Sequence, residues 1–594
     1  MLRTVMQREH LAAFIFPSTD PHNGEYIPEH WEGRKWISGF TGSAGTAVVT
    51  MTSAALWTDS RYFIAAEQEL RGTEFRLMKQ GLPGTPTIAE WLSAEVLGEA
   101  CQRATHGSTE VGIDGSVYAT AATESLIADL RRHGGMTLRT NLDPLQAIWA
   151  DRPSLPLSPV EIQPLEYCGV ACADKLKRIR HEVLLRHASG LLVSSLDDIA
   201  WTLNLRGTDV HCNPVFVAYL LITQEKATLF VDGRKLSSEV RSYLAAQGVQ
   251  TDEYANVGKA LTTYSDYSIL LDDDELNYTL FCKVRKEAVV RGTSPIPALK
   301  AIKTEAEVAG FRQSMVSDGV ALVRFQRWLM ENVGKGTVTE LSASDKLTSL
   351  RAEMPLYRDN SFDTIAAYQE HGAIVHYEPT AETDVALRPE GFILIDSGAQ
   401  YQNATTDITR TIPLGPLTHE QRLVYTLVLK GHIDLQMLKF PEGASGTQLD
   451  AIARQHLWSH GYNFLHGTGH GVGSYLNVHE GPHQIRMEYR PAPLHAGMTV
   501  TDEPGIYVQG EFGVRIENTL VIQPYRETQF GAFLQFETLT LCPIDTAPIL
   551  VDMMSPEELQ WLNDYHKRVF DTLSPLLDEA DSAWLAQACK PLER

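Results

Sequence analysis

The run His466-Gly467-Thr468-Gly469-His470-Gly471-Val472-Gly473 sits inside a longer stretch, Gly391 to Ile522, whose reading decides the fold of the chain. Before it lie Gly391-Phe392-Ile393-Leu394-Ile395-Asp396-Ser397-Gly398 and Thr405-Thr406-Asp407-Ile408-Thr409-Arg410-Thr411-Ile412. After it lie Thr499-Val500-Thr501-Asp502-Glu503-Pro504-Gly505 and Gly513-Val514-Arg515-Ile516-Glu517-Asn518-Thr519-Leu520. Four carboxylates, Asp396, Asp407, Glu503 and Glu517, and one histidine, His470, therefore stand in strand-like or glycine-rich settings.

Phe392 to Asp396 is an apolar strand that ends in a carboxylate, and Asp407 follows within a run of β-forming residues, so a hairpin that brings two acids together is expected. Paired carboxylates repel unless a proton or cation intervenes, which points to a metal. In the second half, a period of two puts Thr501 and Glu503 on one face and Val500 and Asp502 on the other; Arg515 and Glu517 likewise face away from Val514 and Ile516. A second hairpin is expected, again with two acids. One such pair alone is more often a solvated strand face. Two of them flanking a histidine run form a stronger pattern.

Glycine costs about 1 kcal/mol in a helix interior, so the His466 to Gly473 run is read as a loop that aims an imidazole. Other candidate histidines are His371, His376 in Ile374-Val375-His376-Tyr377, and His479 in Asn477-Val478-His479-Glu480-Gly481-Pro482. On its own, His376 reads as a half-buried strand residue.

Working outward, 594 residues are too many for one ordinary core, and several domains are expected. With 51 Lys+Arg against 74 Asp+Glu, the net charge of −23 argues against nonspecific binding to nucleic acid or to anionic membrane. Seven cysteines lack the spacing of a zinc site and suit a reducing, cytoplasmic setting. The first ten residues lack the apolar run of a signal peptide, and no segment reaches the roughly 20 apolar residues that span a bilayer.

The chain opens as alternating strands and helices, with a short apolar run at Ala12 to Phe16, a strand leaving into a helix over Ala54 to Tyr62 and a short strand at Val111 to Asp114. A proline-bearing linker, Asp151 to Pro159, follows, and the pattern then restarts. Ala227-Thr228-Leu229-Phe230-Val231-Asp232-Gly233-Arg234 echoes Ala55-Leu56-Trp57-Thr58-Asp59-Ser60-Arg61, and Ile269-Leu270-Leu271-Asp272 echoes Val111-Gly112-Ile113-Asp114. Trp201 to Gly207 stands where Trp36 to Gly42 stood. Two domains of one fold are expected, 1–155 and 156–302. A third, 303–594, opens at a capping box, Thr304 and Glu307, with an amphipathic helix behind it. Further helices are expected at Glu340 to Met354, Glu420 to Leu438, Gly446 to His460 and Ser555 to Leu577, with a small terminal helix. The fold class is α/β and α+β.

The ordered set Asp396, Asp407, His470, Glu503 and Glu517 resembles the metal signature of the superfamily of methionine aminopeptidase, prolidase and aminopeptidase P, with its pita-bread catalytic domain. Asp396 to Tyr401, His466 to Gly473 and Asn477 to Pro482 resemble the long, three-domain Xaa-Pro aminopeptidases. So do Pro17 to His22, Ser38 to Thr46, Trp57 to Phe63 and Asn204 to Gly207 in the N-terminal half. The resemblance implies two similar creatinase-like domains followed by a pita-bread domain with a helical extension. It also implies a metallo-aminopeptidase that hydrolyses the bond before proline by a metal-bridged hydroxide.

Residue by residue, Asp396 would bind one metal, Asp407 and Glu517 would bridge two, and His470 and Glu503 would complete the second. Two divalent ions are implied, usually Mn²⁺, with Co²⁺ or Zn²⁺ compatible with these ligands. Glu503 would handle the proton, and His376 and His479 would stabilise the oxyanion and, with His470, position the peptide. His466 would lie near the wall for the proline ring. Arg61 would reach the downstream part of the peptide; its alternative is a turn ion pair, since Arg234 echoes it. The partner is a peptide with proline second, and a homodimer is implied. Two rivals stay open: a prolidase-like dipeptidase, and a metal-free pita-bread binding module.

Overall fold

A computed structural model of the chain describes residues 1–98 and 107–593. Two compact units emerge, one of residues 1–162 with 171–296 and one of 163–170 with 297–594.

The first unit holds two six-stranded sheets of one design. Strand order in the first is Phe75–Lys79, Ala54–Thr58, Thr46–Thr50, Ala13–Phe16, Glu110–Gly112, Thr137–Arg139. The second runs Val249–Asp252, Ala227–Val231, Ala218–Thr223, Gly190–Val193, Ile269–Leu271, Val289–Arg291. In both, two antiparallel pairings lie at the centre and parallel pairings flank them. The sequence echoes map onto equivalent strands, so the duplication is one of fold. The strands facing both layers are apolar on every residue, as at Gly190–Val193, because helices cover both sides.

The second unit opens with the helix Glu305–Asn332, capped as expected: Glu307 N donates to Thr304 Oγ1 at 3.1 Å and Thr304 N to Glu307 Oε2 at 2.8 Å. Its apolar positions Phe311, Met315, Leu322, Phe325 and Leu329 are buried. Phe392–Ser397 is the middle strand of a sheet, between Ile365–Tyr368 and Ile408–Pro413. Thr499–Asp502 edges another, beside Asn518–Thr528, Gly531–Thr538 and Lys439–Pro441. The helix His419–Met437 places Val424, Tyr425 and Val428 in one core with Phe392, Val514, Ile516 and Leu562, while its Leu435 packs in a second core with Val500, Leu520, Ile522 and Leu534 of the other sheet.

Behind the sheets lies a buried cation. Arg410 donates to the carbonyls of Glu517 at 2.6 Å, Cys542 at 2.9 Å and Pro543 at 3.1 Å, and to Tyr565 Oη at 3.0 Å. Beside it, His566 Nε2 accepts from Ile544 N at 3.1 Å, and burial, aided by Arg410, lowers the imidazole pKa to about 4. Below pH about 6.5 the unfolded chain protonates this residue and the folded one does not, so its stability contribution is lost as pH falls towards 4. His566→Gln, which keeps an acceptor, is expected to show a smaller drop in melting temperature between pH 7.5 and pH 5 than the wild-type protein. Equal drops would count against this account.

Candidate metal centre

Asp396 sits within a ladder, and the other three carboxylates owe their positions to interrupted pairing. The expected first hairpin forms: Phe392–Ser397 pairs antiparallel with Ile408–Pro413, Asp396 opposite Thr409. Asp407 lies just before the second strand, after Ala404–Thr405, and not within it. The second hairpin differs from expectation. Its ladder runs to Asp502 opposite Asn518, stops, and resumes at Gly505 opposite Arg515. Glu503 and Glu517 occupy the two sides of that gap.

The gap redirects the backbone. Glu503 N donates to Thr468 O at 2.7 Å and Glu517 N to Thr409 O at 3.1 Å, so each acid residue bonds to a segment that carries other candidate ligands. Hydrogen bonds that a continuous ladder would use internally here join the two hairpins and the histidine run.

The histidine run is not a loop throughout, because Gly469–Gly471 is a short strand paired with Glu480–Ile485, with an irregularity at His470. Its glycines serve close approach rather than unusual backbone angles. A Cβ on Gly469 would lie 1.9 Å from Thr501 O, and one on Gly471 2.4 Å from Glu480 O. Arg454, from the helix Gly446–Ser459, pins the run from behind by donating to Phe464 O at 2.5 Å and His466 O at 3.0 Å. Its partner Asp450 accepts from Thr468 Oγ1 at 2.6 Å. Gly469→Ala is therefore expected to force the two segments apart at a cost of about 1–3 kcal/mol. Equilibrium dialysis should show weaker metal retention, and unchanged retention would contradict the close-approach argument.

These elements converge. Asp407, His470 and Glu517 each offer a ligand atom, all within 4.8 Å of one another. His470 Nε2 lies 3.4 Å from Asp407 Oδ2 and 3.6 Å from Glu503 Oε1. Nδ1 of His470 is 2.8 Å from Gly471 O, so Nδ1–H donates there and Nε2 is the nitrogen that faces the carboxylates.

Burial raises the pKa of Asp396, Glu503 and Glu517, Glu503 to about 7, and their mutual charges push the same way. Burial disfavours charge on His470, yet its bond to Asp407 and the charges of Glu503 and Asp407 outweigh that and lift it to about 9. Such a site, with more buried negative charge than protein cations answer, is built for added positive charge. Asp396 Oδ1 is buried and has no hydrogen-bond partner. Four carboxylates and one imidazole suit hard or borderline divalent ions, so the residues fit the metals that the sequence implies.

A second group with ligating atoms, Asp434, His456 and Glu558, differs in this respect. Lys430 Nζ already reaches both Glu558 oxygens, at 2.7 and 2.6 Å.

Of the other sequence candidates, His479 stacks edge-on against His470, ring centres 4.4 Å apart. His376 sits on a turn rather than a strand, because the chain leaves a short 3₁₀ helix at Ala373. That turn is tied to the centre, since Arg515 donates to Val375 O at 3.3 Å. His466 lies between Phe464 and Tyr507, with Nε2 2.8 Å from Tyr507 Oη. His371 is held at the Glu340 carboxylate, 2.9 Å away. Arg61 belongs to the other unit, where it grips Asp59 at 2.9 and 2.8 Å. Its echo Arg234 grips Asp232 in the same way, at 2.9 and 2.6 Å, so the turn ion pair is present in both domains.

Sequence reading noted Arg515 only as a face-mate of Glu517. In the structure its side chain is 2 % exposed, bonds Asp396 Oδ2 at 2.6 Å and donates to Tyr507 Oη at 2.7 Å. Its signal was a cation on the inward face of a strand, where an unpaired charge cannot stay.

Comparisons with known proteins agree with this geometry. Residues 309–524 match metallopeptidase family M24 and 532–592 its C-terminal region, while 1–135 and 151–307 each match a creatinase/prolidase N-terminal domain. A probable Xaa-Pro aminopeptidase P of Laccaria bicolor is 39% identical over 609 residues, covering 100% of this chain and 92% of its own. Aminopeptidase P1 of Lotus japonicus is 36% identical, covering 98% and 97%. The crystal structure of X-prolyl aminopeptidase from Caenorhabditis elegans, a cytosolic enzyme with a di-nuclear active site, superimposes with a TM-score of 0.92 at 34% identity, covering 98% of this chain and 95% of that one. With a metal-type centre in an M24 domain and full-length likeness to these proteins, the chain belongs to the Xaa-Pro aminopeptidase P family of metal-dependent aminopeptidases.

Proposed function

We propose that the chain removes the N-terminal residue that precedes proline in peptides, using two divalent ions, Mn²⁺ in preference to Co²⁺ or Zn²⁺, held by Asp396, Asp407, His470, Glu503 and Glu517. The observation that carries this reading is the meeting of Asp407, His470 and Glu517 ligand atoms within 4.8 Å, with Glu503 Oε1 3.6 Å from His470 Nε2 and the buried Asp396 Oδ1 left without a hydrogen-bond partner. Bound there, the ions supply Lewis acidity that makes water nucleophilic near neutral pH and polarises the scissile carbonyl.

The protein does the rest. Glu503, whose carboxyl pKa is raised by burial and by the neighbouring carboxylates when no metal is bound, is the group that takes a proton from the attacking water and returns it to the leaving proline nitrogen. An Xaa-Pro bond is a tertiary amide with no N–H, so that nitrogen leaves as an amine only when protonated. His376 and His479 donate to the developing oxyanion, and His479, packed on His470, also orders the peptide. His466, held against Tyr507 and backed by buried Phe464, lies near the wall for the proline ring. Arg61 reads the downstream residues. Three domains, 1–155, 156–302 and 303–594, share the work, the first two restricting access to peptide ends. The enzyme acts in the cytoplasm as a homodimer; among the described residues no helix is long and apolar enough to cross a membrane.

Chelated protein restored with single metals and assayed on an Xaa-Pro-Xaa tripeptide is expected to regain activity best with Mn²⁺, and to prefer the tripeptide to the Xaa-Pro dipeptide. A strong preference for the dipeptide would favour a prolidase-like activity. Absence of both metal binding and cleavage would favour a binding module.

A further inference from the structure

Directly behind the gap that presents Glu503 and Glu517 lies a closed polar cluster that the hydrolytic chemistry does not use. His432, on the helix His419–Met437, has a fully buried side chain. Its Nδ1 lies 3.1 Å from Asp502 O and 3.0 Å from Asp502 Oδ2; its Nε2 lies 3.1 Å from Asn518 Nδ2 and 2.8 Å from Gln436 Nε2. One tautomer meets all of these contacts, with Nδ1–H donating to Asp502 and Nε2 accepting from the two amides.

Gln436 Nε2 also donates to Asp502 Oδ2 at 3.0 Å, and Gln436 Oε1 accepts from Thr538 Oγ1 at 2.6 Å. Asn518 Oδ1 accepts from Arg410 at 2.9 Å, and Arg410 holds the Glu517 carbonyl. The amide orientations are thus fixed by the surrounding bonds.

Asp502 and Asn518 are the last cross-strand pair before the ladder stops, and Glu503 and Glu517 are their chain neighbours. A ladder gap of this kind lacks the bonds that would set its width. His432 replaces them by spanning the two strands, one ring nitrogen to each.

We infer that His432 is a positioning residue: it sets the separation of the two strands at the gap and so the placement of the Glu503 and Glu517 carboxylates for metal. The inference rests on the proposed metal function. Outer partners that orient ligands are worth about 10–100-fold in metal affinity.

The test uses full-length protein freed of metal by chelation, with Mn²⁺ as the probe and the electron paramagnetic resonance signal of unbound Mn²⁺ as the readout. His432→Phe is expected to bind Mn²⁺ at least about tenfold more weakly, with unchanged helical circular dichroism. At saturating Mn²⁺ its kcat should fall with little change in KM, and His432→Gln should recover part of the affinity. A purely structural role would lower the melting temperature and leave affinity alone.

Gln436→Met, which removes donors to His432 and Asp502 while keeping side-chain length, should show the same loss to a smaller degree, and it decides the matter if His432→Phe does not fold. Wild-type affinity in a folded variant overturns the inference alone. Failure of the wild-type protein to bind Mn²⁺ overturns the metal reading, and this inference with it.

Discussion

Asp407→Ala is expected to leave a folded protein that has lost its metals and essentially all activity. The fold should survive because what Asp407 gives the scaffold is its backbone: its carbonyl accepts from Thr519 Oγ1 at 2.9 Å, and it lies in a break between strands where no ladder depends on its side chain. Its carboxylate is by contrast central to the cluster, 3.4 Å from His470 Nε2 and within ligand reach of Glu517. If its loss forfeits about 4 kcal/mol of transition-state stabilisation, as removal of one well-placed charge-stabilising group does, kcat/KM falls about 10³-fold.

The effect on the metal-free protein should run the other way. Asp407 raises the pKa of Asp396, Glu503 and Glu517 by its charge, so removing it relieves repulsion among buried carboxylates. The melting temperature of the metal-free variant is expected to match or exceed that of the metal-free wild type, while added Mn²⁺ raises only the wild type. Full activity of Asp407→Ala, or a large fall in its metal-free stability, would each contradict the site as described.

Much of this could be read from the chain because the signals were local. Thr304 and Glu307 announce a helix start through bonds spanning three residues, and that helix begins one residue after Thr304. The echo of Ala55 to Arg61 in Ala227 to Arg234 reported a repeated strand and turn, down to the ion pairs of Arg61 and Arg234.

What stayed hidden depends on contacts between residues far apart in sequence. Alternation along Thr499 to Glu517 fixes which way each side chain faces but cannot show that the ladder stops at Asp502 and resumes at Gly505, since the cause lies in Thr468 and Thr409, which take the backbone bonds. The glycines of the histidine run were read as a loop that aims an imidazole, yet the need at Gly469 is set by Thr501 O, thirty-two residues along the chain. Arg515 was visible only as sharing a strand face with Glu517, and its partner Asp396 is 119 residues distant.

Arg515 is also where the second large effect is expected, this time on stability. Its guanidinium is buried and bonds the Asp396 carboxylate, Tyr507 Oη and Val375 O, with Nε donating to Thr409 Oγ1 at 3.2 Å. Thr409 Oγ1 in turn donates to Glu517 Oε2 at 2.8 Å, so one cation braces both hairpins. Its charge lowers the pKa of Asp396 and Glu503, against the burial that raises them.

Arg515→Met keeps the volume and removes the charge, which leaves Asp396 buried without its ionic partner, a change that costs about 3–5 kcal/mol. Metal-free Arg515→Met is therefore expected to melt several degrees below metal-free wild type by calorimetry. With one protein cation fewer facing the same carboxylates, the variant should bind Mn²⁺ more tightly than the wild type, and added Mn²⁺ should raise its melting temperature by more. If the variant melts with the wild type when metal is absent, the carboxylates do not rely on Arg515, and the charge balance described for this centre is wrong.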